Sequence, residues 1–117
     1  MILDTTTRLE VQIDTGSADY TFDYIAYNAN NEPSLPSTVR GVISASADVT
    51  VLPIPVSPIV RFDPLAGFIY NRGTASIVCK IKTDDGTTER MQYQKTLEAG
   101  GTLQYNKNIG WFREAVV

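Results

Sequence analysis

Asp14-Thr15-Gly16-Ser17 follows the alternating run Leu9–Ile13, and these residue types in this order are suited to acid–base chemistry. A carboxylate held on such a loop works as half of a pair. Two like charges that close cannot both ionise, so they share one proton and divide the roles of acid and base. The Thr would hold the loop by hydrogen bonding, and the Gly would let backbone N–H groups approach the carboxylate. One copy of the motif stands in 117 residues, so the pair requires two chains.

Dimeric aspartic proteases of the retropepsin type use Asp-Thr-Gly in this way, and they carry two further parts. One is a glycine-rich flap hairpin; the other is an apolar-apolar-Gly segment near the C-terminus. Here "TVRGVISASADVTVLPIP" stands where the flap belongs, and "NKNIGWFRE" offers only Ile109-Gly110. Asp, Thr, Gly and Ser are also favoured turn formers. We therefore read residues 14–17 as a turn between Leu9–Ile13 and Tyr20–Tyr27, with the protease centred on Asp14, Thr15 and Gly16 as an alternative.

The remaining chemistry is sparse. Histidine is absent, which removes Ser-His-Asp and Cys-His catalysis and the usual zinc sites. Cys79 is the single cysteine, and its apolar strand setting reads as a buried inert thiol. Asp84 and Asp85 in "TDDGTTE" lack the oxygen spacing of a calcium loop and read as a hairpin tip. "GTAS" and "AGGT" precede no helix that would cradle a phosphate. The six tyrosines offer a stacking platform for sugars or bases, but tyrosine is equally a good strand residue. No catalytic residue, cofactor or metal is expected.

Net charge is −3 and the ten basic residues are scattered, which argues against a nucleic-acid partner. No apolar run approaches the roughly 20 residues that span a membrane, and "MILDTTTRLE" lacks the plan of a secretory signal. The expectation is a soluble protein made without export. A chain of this length matches one domain and can bury roughly two thirds of its unfolded surface.

Period-two alternation dominates, and no amphipathic helix is expected. Leu9, Val11 and Ile13 share one face; Tyr20, Phe22, Tyr24 and Ala26 share another. A polar loop follows at 28–37. Residues 39–51 read as one long strand or as two joined by a bend near Ala45–Asp48. "LPIPVSP" at 52–58 suits a sheet edge or an extended linker. Further strands are expected at about 59–63, 67–71, 75–83, 88–97, 102–106 and 109–115. Asp85-Gly86 predicts a two-residue type I′ turn, with Met91, Tyr93 and Leu97 sharing a face beyond it. Short strands at this spacing predict an all-β fold, a single antiparallel β-sandwich of jelly-roll-like arrangement.

"MILDTTTRLEV" at 1–11 and "KTLEAGGTLQYNKNIGW" at 95–111 resemble a group of small tailed-bacteriophage virion proteins. Those chains begin Met-Ile-Leu-Asp and end with Leu-x-x-Gly-x-Thr-Leu-x-Tyr followed by Gly-Trp. Ile69-Tyr70-Asn71 with "TASIVCKIKTDDGT" fits their central strand exit. The resemblance implies a structural virion protein, most concretely a capsid decoration (cement) protein bridging major capsid subunits as a homotrimer, assembled in the host cytoplasm. A neck, tail or fibre-associated binding protein is the alternative.

The residues themselves indicate where partners would dock. Residues 1–8 read as an extended N-terminal arm, with Met1, Ile2 and Leu3 exposed, ahead of a sandwich domain at 9–117. An apolar arm is expected to seek a neighbour's sheet edge or groove. Trp111 and Phe112 lie on opposite strand faces, so one of them should face solvent or a subunit contact. Ile2, Leu3, Arg8 and Phe112 are the expected partner-contacting residues.

Overall fold

In a computed structural model, which describes residues 1–114, the chain is all-β and forms two antiparallel sheets packed face to face. In chain order the strands are β1 (Leu3–Asp4), β2 (Arg8–Ile13), β3 (Ser17–Asn28), β4 (Ser37–Ser44), β5 (Val49–Leu52), β6 (Ile59–Asn71), β7 (Ile77–Asp84), β8 (Glu89–Leu97), β9 (Thr102–Asn106) and β10 (Gly110–Glu114). One sheet runs β10-β9-β6-β3-β4, with β1 paired to β6; the other runs β5-β2-β7-β8. The nested pairs β2·β7 and β3·β6 lie in opposite sheets, as in a rolled ribbon. The hairpins β3–β4, β7–β8 and β9–β10 widen it at the edges. The end of the expected last strand and of the expected domain, residues 115–117, lies outside the described residues.

Alternation places the core where the sequence pattern puts it. Leu9, Val11 and Ile13 of β2 and Ile77, Cys79 and Ile81 of β7 face Ala18, Tyr20 and Phe22 of β3, Ile69 of β6, and Leu103 and Tyr105 of β9. Each large apolar side chain buried this way contributes about 1.5–3 kcal/mol. Trp111 closes one end, its ring centroid 5.9 Å from Phe22, 5.0 Å from Tyr105 and 6.5 Å from Tyr93. Phe22 lies directly opposite Gly67 on β6, and its ring occupies the space that a Cβ at Gly67 would need.

Four expectations are corrected. Residues 59–71 form one strand rather than two, because a bulge opposite Asp23 and Tyr24 accommodates Pro64 without breaking the pairing. The β7–β8 turn is wider than type I′: Asp84 pairs with Glu89, and Gly86 has φ 94° while Asp85 stays out of the left-handed region that type I′ demands. Met91 does not share a face with Tyr93, since a bulge at Gln92 sets Ile81 opposite Tyr93 but Lys82 opposite Met91. One inserted residue turns a side chain to the other face, and Met91 is accordingly exposed.

The fourth correction concerns the N-terminal arm. Leu3 is fully buried in the core, and Leu3 and Asp4 pair with Phe62 and Arg61 of the chain's own β6. The Met1 ammonium lies 3.3 Å from the Tyr105 hydroxyl. Burying Leu3 in its own core satisfies the hydrophobic demand that an extended arm would carry to a neighbour.

Asn71, fully buried at the end of β6, ties the two sheets together. Its Nδ2 donates to the carbonyls of Ala75 (2.9 Å), Leu97 (3.1 Å) and Glu98 (3.1 Å), and its Oδ1 accepts from Gly73 N–H at 3.0 Å. Its backbone N–H donates to Gly101 O at 3.0 Å and its carbonyl accepts from Gly100 N–H at 2.9 Å. The β6–β7 and β8–β9 connections, which both pass between sheets, are thus held by one residue. Asn71→Ala should lower the unfolding free energy by about 2 kcal/mol or more, because it orphans several buried groups. Gly67→Ala should cost about 1–3 kcal/mol by overpacking against Phe22. Urea denaturation with an unchanged m-value checks both.

Candidate functional site

Asp14 lies on the loop that carries the chain from β2 in one sheet to β3 in the other. Its Oδ1 accepts the Val78 backbone N–H at 2.8 Å, so the carboxylate caps a β7 backbone donor left without a strand partner at that point. Asp14, Thr15 and Gly16 are all exposed. The motif that raised the question of acid–base chemistry is, in this chain, an ordered turn with its carboxylate engaged by the backbone.

The partner-contacting residues expected from the sequence separate. Leu3 is core. Arg8 donates from Nε to Glu10 Oε2 at 3.1 Å and from a terminal nitrogen to Asp84 Oδ2 at 2.8 Å, so its guanidinium is engaged within the chain. Ile2 is 63% exposed. Phe112 lies on the outward face of β10, directly across from Gln104 of β9.

Phe112 belongs to a larger surface that the sequence did not reveal. The register aligns Arg40, Thr21, Phe68, Gln104 and Phe112 in one row across β4, β3, β6, β9 and β10. The next row is Val42, Asp19, Tyr70 and Thr102. At about 4.8 Å between strands, the first row spans roughly 19 Å. Phe68, Tyr70 and Val42 are 40%, 38% and 46% exposed, and Arg72 pairs with Asp19 at 3.2 Å along the border. An aromatic centre with a polar rim is the composition of a protein-contact patch.

The opposite outer face is charged. Arg8, Glu10 and Gln12 of β2 stand beside Lys82 and Asp84 of β7, with Asp48 and Glu89 at the sheet's margins. Lys82 Nζ reaches Glu89 Oε1 at 2.6 Å, Asp48 Oδ1 at 3.0 Å and Gln12 Oε1 at 3.0 Å. Glu10 is buried beneath these side chains, and desolvation raises its carboxyl above the ordinary range despite Arg8. This cluster too escaped sequence reading: alternation marks β2 and β7 as charged on one side, but gives no sign that Asp48 and Glu89 join them.

Among the described residues, three of the concavities measure about 180, 240 and 300 Å³. Sites that enclose small molecules measure roughly 300–1,000 Å³, so two of these fall below that range and the third is at its lower limit. The two larger ones lie on the aromatic face, beside Phe68, Gln104 and Phe112 or Tyr70. Cys79 is buried, and desolvation pushes its thiol up to about 12, far from a nucleophile's range.

The β7–β8 hairpin tip is a self-contained carboxylate turn. Asp85 Oδ1 accepts from Thr88 N–H at 2.7 Å, Thr87 N–H at 2.9 Å and the Thr87 hydroxyl at 2.9 Å. These hydrogen bonds hold its carboxyl at about 2, below the ordinary 3.8. A carboxyl depressed in the folded state stabilises above its unfolded value, and that contribution is lost as pH falls toward the folded value. Asp85→Ala should therefore be less stable than the parent at neutral pH, with the difference vanishing as pH falls from about 3.8 to about 2. Chemical denaturation across that window measures it.

Comparison with family models, with curated proteins and with solved structures finds no match to this chain.

Proposed function

We propose that this chain is a structural virion protein of a tailed bacteriophage, a capsid decoration protein that binds across joints between major capsid subunits. The observation that carries the reading is the contrast between the two outer sheet faces. One is laced with ion pairs and suits water; the other presents Phe68, Tyr70, Phe112 and Val42 on its outward side. The ends of the sequence, which resemble small phage virion proteins, add a second and independent line of support. The mechanism is burial of area rather than catalysis. In a homotrimer the aromatic face is repeated three times on one particle, so modest contacts add up by multivalency. The acidic balance of the chain suits the outside of a shell, where DNA binding would be undesirable.

Sizing and capsid reconstitution test this. The expected result is a trimer that binds expanded capsids and raises their heat resistance. Phe68→Lys and Tyr70→Lys should leave the fold intact, because both side chains are solvent-facing, while weakening capsid binding about tenfold or more each. Binding to tails alone would move the protein to the neck, tail or fibre. Its absence from purified virions, judged by cryo-electron microscopy, would defeat the proposal.

A further inference from the structure

The charged outer face of the β5-β2-β7-β8 sheet gathers several carboxylates around two cations. Among the contacting groups there, the carboxylates of Glu10, Asp48, Asp84 and Glu89 meet the cations of Arg8 and Lys82. The cluster itself is acidic, and Lys80, opposite Gln12, is the next cation along the face. Glu10, Asp48 and Glu89 each offer an oxygen, and these three atoms lie within 4.8 Å of one another. A hard cation holds oxygen ligands at 2.3–2.6 Å, so ligands on one ion lie no more than about 5 Å apart. The spacing fits.

An independent observation points the same way. The Glu10 side chain is 7% exposed, and its Oε1 has no hydrogen-bond partner, although Oε2 accepts from Arg8. A buried carboxylate oxygen without a partner is costly, and an unfilled ion position is one of its physical explanations. Lys82 bonds Asp48, Glu89 and Gln12, which leaves this oxygen unserved. We propose that Glu10, Asp48 and Glu89 form a binding site for one divalent cation of the calcium type. Lys82 neutralises two of the ligands when the ion is absent and swings outward on its flexible stem when the ion enters. Gln12 Oε1, freed from Lys82, supplies a fourth oxygen. The ion would join β2, the β4–β5 turn and the start of β8.

Calcium chloride alone, titrated into chelator-treated protein at constant ionic strength, tests the site. Calorimetry should show saturable binding of one ion per chain. Thermal unfolding should shift upward by roughly 5–10 °C at a hundredfold excess over Kd. Glu10→Gln should abolish the shift. Asp48→Asn, an exposed position that leaves the fold intact, should do the same and guards against a folding defect at Glu10. Lys82→Met, which removes the competing ammonium, should tighten binding about tenfold or more. No shift in either the parent or Lys82→Met, or an equal shift in Asp48→Asn, would overturn the proposal.

Discussion

The architecture depends on how the chain passes between its two sheets, and one buried amide governs two of those passages. Asn71 offers donors and acceptors at a point where β6 ends, β7 has not begun, and the β8–β9 connection returns. Each of those turns must leave carbonyls and N–H groups without strand partners. Placed inside the protein, such groups cost free energy unless something short and bifunctional meets them. An amide does this without carrying charge into the core. The sheets can then stack their apolar faces at about 10 Å, and Phe22, Trp111 and Tyr105 can interlock at the closed end.

With the crossings fixed, the two outer faces take on different characters. The β2–β7 ladder is braced by a web of ion pairs that covers Glu10 almost completely. The β3–β6–β9 ladder carries Thr21, Phe68, Tyr70, Thr102 and Gln104 on its outward side, with Asp19 and Asp23 among them. Phe68 and Tyr70 are exposed there, and this is the face on which the proposed partner would dock.

Much of the fold was legible in the residues. Leu9-Val11-Ile13 and Ile77-Cys79-Ile81 announced their faces by strict alternation, and Ala45–Asp48 announced the bend between β4 and β5. The misreadings share a cause: each turned on how one residue meets a neighbouring strand, which alternation along its own strand does not report. The bulge at Gln92 depends on β7, the continuity through Pro64 depends on β3, and the fate of Leu3 depends on β6. The candidate site was less legible still. Phe68, Tyr70 and Phe112 come from strands that become neighbours only through β9, and Asp48 and Glu89 meet Glu10 only once β2 has paired with β5 on one side and β7 on the other. Local pattern reports which way a side chain points, but not which strand will lie beside it.

The single thiol has a practical bearing on studying assemblies of this molecule. Cys79 is sealed inside the sandwich, where desolvation pushes its thiol up to about 12. Alkylating dyes and spin labels react with thiolates, so the native chain gives no background. A cysteine placed at an outward position such as Met91 would be the one reactive handle. Fluorescent or paramagnetic reporters could then be attached at a chosen spot without rebuilding the interior.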